Sequence, residues 1–391
     1  MSKVVRTVSY IEGRFSETFG CNRIYGRGEH GRQALCGQGA RLVLLLATVS
    51  VLLAACGRGE DVAGYPVSLG APPQPTPSLP PVSFPRDEAP HGDLTEWWYY
   101  TGHLQAGKGR YGFELVTFQA VRGQLPRSYV AHFAITDQQR RRFAYDQRLH
   151  TGPQPVQGPG FNLEVDGWKM SGAGGTDRLQ ARMPGYGIDL TLRATKPAVL
   201  HEGDGIISFG PAGTSYYYSR TRMSVQGTIE DHGKRLPVTG QAWMDHQWGN
   251  FISVAGGGWD WYSIQLEDGA DLTVSVVRNL EGEVLLEYGT YVEPNGSASN
   301  LDTEQVDTKV TARWRSPKTG AVYPSGWRMI IRDRGLDLAL TPVLPDQELD
   351  TRKSTGVAYW EGAVEVAGTR DGKPIQGKGY VELTGYAKTK P

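Results

Sequence analysis

The sequence predicts an all-β protein made of two consecutive antiparallel β-barrels or strongly curved sheets. Three observations carry the prediction. The 391-residue chain is rich in Gly (51), Pro (24), Tyr (19), Trp (10) and Phe (10), and no amphipathic stretch is long enough for a helix. Turn signals such as Gly107-Lys108-Gly109, Asp166-Gly167, Asp268-Gly269 and Asp371-Gly372 separate short aromatic and β-branched runs. Two pairs of segments repeat in order, so each half supplies its own sheet. Closure or strong curvature then removes the exposed edges of an all-β chain.

The first elements are an address and a tether. Leu42 to Ala55 is an uncharged, mostly apolar run behind a basic stretch ending at Arg41, too short for a span of roughly 20 residues and suited to a signal-peptide core. Its end, Leu53-Ala54-Ala55-Cys56, resembles the lipobox of bacterial lipoproteins, which makes Cys56 the lipidated first residue of the mature chain. A signal anchor or plain cleavage at the small residues is the alternative. Gly57 after the cysteine leans to the outer membrane, facing the periplasm. Residues 1–55 are therefore expected to be a signal peptide with a spurious N-terminal extension. Residues 56–90 follow as a lipidated, Pro-rich linker with nine prolines between Gly57 and His91, extended and unpacked.

Two folded domains are expected, 91–243 and 244–391. Trp97-Trp98-Tyr99-Tyr100-Thr101-Gly102-His103-Leu104 matches Trp259-Asp260-Trp261-Tyr262-Ser263-Ile264-Gln265-Leu266. Val225-Gln226-Gly227-Thr228 with Trp243-Met244-Asp245 matches Val366-Ala367-Gly368-Thr369 with Tyr380-Val381-Glu382 at similar offsets. Tyr111 to Gln119, Tyr129 to Ile135, Leu190 to Arg193 and Leu272 to Val277 read as strands between them.

Composition excludes several functions. Lys+Arg 41 against Asp+Glu 41 gives no basic cluster for a nucleic acid. Three cysteines form neither a disulfide scaffold nor a zinc spacing. No H-x-x-x-H or H-E-x-x-H, G-x-S-x-G, P-loop or dinucleotide motif occurs, so neither a metal nor a cofactor is expected.

The densest chemistry lies in Gln241-Ala242-Trp243-Met244-Asp245-His246-Gln247-Trp248-Gly249. On a strand Met244, His246 and Trp248 share one face, and Trp243, Asp245 and Gln247 the other. A barrel interior takes one set only. If His246 and Trp248 point inward, Asp245 supports the neighbouring wall. Asp260, between Trp259 and Trp261, is a candidate proton donor if desolvation raises its pKa. Glu96, Trp97, Trp98 and Tyr100, with His132 and Tyr217, add aromatic walls with sparse polar groups, the make-up of a pocket for a long apolar ligand. Core packing accounts for many of the same aromatics.

Five motifs together resemble the AttH-like family, which is related to hydroxyneurosporene synthase, the carotenoid 1,2-hydratase. They are His91-Gly92-Asp93-Leu94-Thr95-Glu96-Trp97-Trp98-Tyr99, Tyr129-Val130-Ala131-His132-Phe133-Ala134, Tyr217-Tyr218-Ser219-Arg220-Thr221-Arg222-Met223, Gly240 to Trp248, and Gly379-Tyr380-Val381-Glu382-Leu383-Thr384-Gly385-Tyr386. The resemblance implies two tandem lipocalin-like (calycin) barrels and a hydrophobic small-molecule ligand, an isoprenoid or lipid. For a hydratase it further implies Asp260 as acid, Trp248 and Trp259 as cation-facing rings, and His246 as the group that orients or deprotonates water, with Asp245 beside it. That enzyme needs Asp260 and His246 in one cavity. The other implied function is a non-catalytic lipid-binding lipoprotein that serves an ABC-type permease at the membrane.

Overall fold

Thr95–Ala106 sets the pattern of the molecule. Its even residues Trp98, Tyr100 and Leu104 enter one apolar core, while Trp97 and Tyr99 enter another on the opposite face. Period-two alternation thus separates two apolar layers, and not apolar from polar. The computed structural model describes residues 79–155, 158–210, 213–251 and 257–387.

The first half contains β1 (Thr95–Ala106), β2 (Gly109–Ala120), β3 (Ser128–Asp137), β4 (Arg142–Thr151), β5 (Phe161–Val165) and β6 (Trp168–Ala173). It continues with β7 (Thr176–Met183), β8 (Tyr186–Ala194), β9 (Val199–Leu200), β10 (Ile206–Ser208), β11 (Thr214–Asp231) and β12 (Lys234–Gly249). They pair antiparallel in the order β4-β3-β2-β1-β12-β11-β8-β7-β6-β5, with β9 and β10 on β11. Both β3 and β4 come back against β5, so the sheet curls into a nearly closed barrel.

The second half contains β13 (Gly258–Leu266), β14 (Asp271–Arg278), β15 (Val284–Val292), β16 (Ala298–Asn300), β17 (Val306–Val310) and β18 (Arg313–Arg315). After them come β19 (Val322–Pro324), β20 (Trp327–Ile331), β21 (Leu336–Pro342), β22 (Glu348–Asp350), β23 (Ala358–Arg370) and β24 (Lys373–Leu383). The main sheet runs β16-β15-β14-β13-β24-β23-β21-β20-β17, with β22 on β23, while β18 and β19 pair apart. The tandem all-β architecture read from the sequence is present.

The repeat holds at the level of single cross-strand neighbours. Tyr99 lies opposite Asp245 and Val116, and Trp261 opposite Glu382 and Ser275. Ser219 lies opposite Asp245, as Glu361 lies opposite Glu382. Each half therefore presents the same β2-β1-β12-β11 or β14-β13-β24-β23 face, and these two faces pack on each other. Gln265 donates to the Thr221 and Ala242 carbonyls, and Arg222 and Lys196 both pair with the buried Asp271.

Two expected boundaries move. The strand through Trp243 runs on to Gly249, because Thr95 at the start of β1 needs Gly249 as its partner. The first sheet therefore ends at Gly249 and not at Trp243. The linker is also shorter than 56–90: Glu88 is buried on Arg220, Phe84 meets the Tyr218 ring edge-on, and the Pro80 carbonyl accepts from the Tyr216 hydroxyl. Residues 1–55, Cys56 and the linker before Leu79 lie outside the described residues.

Candidate active site between the two sheets

A cavity of about 100 Å³ lies where the two matched faces meet. The first half lends it Trp97, Tyr99, Glu114, Phe118, Tyr217 and Asp245. From the second come Trp259, Trp261, Ser275, Val277, Tyr359 and Glu382. Each points there because it has the opposite parity to the core-facing residues of its strand. The wall is mostly aromatic, and its ionisable groups are, among the described residues, all acids or phenols.

The acids differ in what surrounds them. Asp245 accepts from the Tyr217 hydroxyl at 2.7 Å, from Trp243 Nε1 at 2.6 Å and from the Ser219 hydroxyl. Burial pushes its pKa up to about 7, and these three donors, which favour the carboxylate, hold it there. Glu114 is also fully buried but accepts one hydrogen bond, from the Tyr359 hydroxyl at 2.8 Å. Among the described residues its Oε2 has no partner. Burial, with the Glu382 charge adding to it, pushes Glu114 well above the usual carboxylate range. Behind the wall, Glu361 is raised by burial and by Glu114 and Glu382, and it accepts from Tyr99 at 2.8 Å. Glu382 is raised to about 7 by burial and accepts from Trp259 Nε1 at 2.8 Å.

Three carboxyls, Glu114, Asp245 and Glu382, line one apolar cavity, and they differ in the number of donors they accept from. Glu114, with one donor and a free oxygen, keeps its proton near neutrality. Asp245, with three donors, gives its proton up more readily.

The sequence-predicted residues divide by parity. Asp245, Trp97, Tyr217, Trp259 and Trp261 line the cavity. His246 and Trp248, together with Glu96, Trp98 and Tyr100, face the interior of the first sheet. There His246 Nε2 is 2.8 Å from Glu96 Oε1, and its ring stacks on Trp98. Asp260 has the parity of Tyr262 and belongs to the inside of the second sheet, where it pairs with Arg278 at 2.6 Å and accepts from Tyr386 at 3.0 Å. Burial does raise its pKa, but Arg278 opposes the rise and the group is already engaged. The assignment of Asp260 and His246 to one cavity is therefore overturned, because a one-residue step along a strand reverses the side chain. Trp248, stacked on His91 at 4.1 Å, cannot be a cation-facing ring of this cavity. His132 lies behind the wall, on the Tyr359 hydroxyl.

Glu114, Glu361, Glu382, Tyr99 and Tyr359 were missed as site residues. Glu382 was signalled by its match to Asp245 in the repeat, and Glu114 by being the lone acid in the apolar run Tyr111 to Gln119. His91, Glu96 and His246 are the one described group whose ligand atoms lie within 4.8 Å of one another, as a metal would need. The Glu96 oxygens are already taken by both rings, the His91 amide and Gln119.

A family model described as AttH-like matches residues 74–386, the whole of both sheets. The chain belongs to the AttH-like family. Among solved structures, an AttH protein of Nitrosomonas europaea is 31% identical, with a TM-score of 0.72 over 80% of this chain and 99% of that one. Kievitone hydratase of Nectria haematococca shares the fold of this AttH-like protein at 18% identity, with a TM-score of 0.64 over 79% of this chain and 94% of that one. A dehydratase of Emericella nidulans is 23% identical over 221 residues, which is 53% of this chain and 61% of that protein.

Proposed function

We propose that this AttH-like protein is a hydro-lyase that adds water to, or removes it from, a carbon–carbon bond at the apolar end of an uncharged substrate. The observation that carries the reading is that three buried carboxyls, among them Glu114 with one donor and Asp245 with three, share one aromatic cavity with no basic side chain on its wall among the described residues. Hydration in either direction needs a proton donor, a proton acceptor and a place for one water between them. Glu114 gives the proton to carbon, Asp245 takes one from water, and the indoles of Trp97, Trp259 and Trp261 face positive charge developing on the substrate. That relatives carry the names hydratase and dehydratase supports the same chemistry.

An engineered apolar cavity of about 150 Å³ lodges a benzene ring. The present cavity of about 100 Å³ admits only the reacting end of a substrate such as an isoprenoid, with the remainder outside. The same volume argues against a carrier that encloses a whole lipid. Anchoring through Cys56 in the envelope belongs to this proposal, since it would hold the enzyme beside a membrane-dissolved substrate.

The test is incubation of purified protein with acyclic isoprenoid alkenes and the matching tertiary alcohols in ¹⁸O-labelled water. Label in the alcohol that is lost on Glu114→Gln is the expected result. Absence of label in every substrate, with intact lipid co-purifying, would replace the enzyme with a binding protein.

A further inference from the structure

A hydration cycle moves one proton from Glu114 to the substrate and another from water to Asp245, so Glu114 must be recharged before the next turnover. Its position makes this a problem. Glu114 is 1% exposed and sits in an aromatic cavity that must keep bulk water out. A path that avoids the cavity is laid out on its far side.

The Tyr359 hydroxyl donates to Glu114 Oε1 at 2.8 Å. The same phenol oxygen is 2.8 Å from His132 Nδ1. Across the ring, His132 Nε2 is 3.1 Å from the Ser354 hydroxyl. Ser354 is half-buried in the turn between β22 and β23, among the exposed residues Lys353 and Thr355. Since Tyr359 spends its proton on Glu114, its oxygen accepts from His132 Nδ1–H, which leaves Nε2 to accept from Ser354 when that hydroxyl turns to it from the Thr351 carbonyl, 3.2 Å away. All three bonds then run in one direction, from surface to carboxyl. The equivalent chain from Asp245 runs through Ser219 to His201 and ends on Thr290, which is 1% exposed. Of these two chains, the one from Glu114 leads outward.

We propose that Tyr359, His132 and Ser354 form a proton relay that recharges Glu114 from solvent by a route separate from the substrate cavity. The proposal rests on the hydro-lyase reading for its purpose, but not for its test. In one passage Glu114 O–H breaks as C–H forms on the substrate. The Tyr359 proton then moves to Glu114 Oε1, the Nδ1 proton of His132 moves to the phenol oxygen, and Nε2 takes the Ser354 proton, which water replaces. No charge remains on the imidazole, and tautomer exchange resets it. Asp245 passes its proton to the water molecule that enters the cavity as product leaves, so one proton enters by the relay and one departs by the cavity mouth per turnover. His132 and Tyr359 are positioning and proton-carrying residues, since neither needs to touch the reacting carbon.

The test follows the exchange of a single proton and needs no substrate. A protonated buried carboxyl has its own infrared C=O band, and the Glu114 band is the one lost in Glu114→Gln. After rapid mixing into D₂O, the rate at which that band shifts reports proton access to Glu114. His132→Asn keeps a donor on Tyr359 but cannot pass a proton, so exchange should slow by about a hundredfold with the near-UV CD unchanged. In His132→Ala, added imidazole should restore the rate. Wild-type exchange at an undiminished rate in folded His132→Asn would overturn the relay. A second measurement covers the case in which these variants fail to fold. On the wild type, exchange should not change when xenon under pressure occupies the cavity, whereas slowing by xenon means that the proton enters through the cavity and refutes the proposal. Slowed exchange in a protein that hydrates nothing keeps the relay and removes the hydro-lyase.

Discussion

Replacing Asp245 by Asn should make the protein more stable and less active. Burial raises the folded-state pKa of Asp245 from its ordinary 3.8 to about 7. The folded protein thus binds this proton more tightly than the unfolded chain does. Its contribution to stability is fully present below about pH 4 and is lost as pH rises through about 7, by about 4 kcal/mol in total. That loss is a large part of the 5–15 kcal/mol typical of a domain. Asn is a fair copy of the protonated acid: its oxygen can keep the Trp243 and Ser219 donors, and its amide faces Tyr217, whose hydroxyl can turn to accept. Urea unfolding of wild type and Asp245→Asn at a series of pH values from 4 to 8.5 measures the effect. The wild-type curve should fall toward alkaline pH, and the variant should gain on it by about 4 kcal/mol by pH 8.5. The same variant lacks the base and should lose about 10² to 10⁴ in turnover. Parallel stability curves would mean that Asp245 is not desolvated, and the acid and base assignment would go with it.

Other perturbations separate the site from its surroundings. Turnover in the hydration direction should rise as Asp245 ionises through about pH 7 and fall at higher pH as Glu114 loses its proton, so a pH–rate profile should be bell-shaped. Ser275→Phe should fill part of the cavity and abolish substrate binding while leaving thermal unfolding within a few degrees of wild type. Asp260→Asn should destabilise by about 3 kcal/mol, because it leaves Arg278 buried without its carboxylate. Unlike Glu114→Gln, it should retain turnover below its melting temperature, and a dead but fully stable Asp260→Asn would return that residue to the chemistry.

The fold was legible because both of its signals are local. Turn dipeptides and β-rich composition gave the strands, and the W-x-aromatic-Y repeat gave the duplication. Parity was legible too: Met244, His246 and Trp248 were separable from Trp243, Asp245 and Gln247 on one strand. What a single strand does not contain is which face meets which partner. His246 and Asp260 carry the most suggestive side chains, yet each faces the inside of its own sheet and is matched by a partner on a neighbouring strand, Glu96 and Arg278. The carboxyls of the cavity come from strands far apart in sequence, as Glu114 and Glu382 do.

Duplication explains why the site lies between the sheets and also why it is asymmetric. Packing a repeated face on its copy places equivalent residues across an approximate twofold: Trp97 with Trp259, Tyr99 with Trp261, Tyr217 with Tyr359, Asp245 with Glu382. A symmetric cavity would contain matched carboxyls and could not assign one as acid and the other as base. Among the positions where the halves differ, two bear on the carboxyls. Glu114 stands where the second half has Thr273, and Ser219 stands where it has Glu361. The first difference supplies a carboxyl with a free oxygen, and the second gives Asp245 a hydroxyl donor in place of a repelling acid. If this is the origin of the chemistry, Ser219→Glu removes a donor from the Asp245 carboxylate and sets a second acid beside it, which should raise its pKa and move the acid limb of the pH–rate profile to higher pH. A profile that keeps its acid limb in Ser219→Glu would show that the base lies elsewhere.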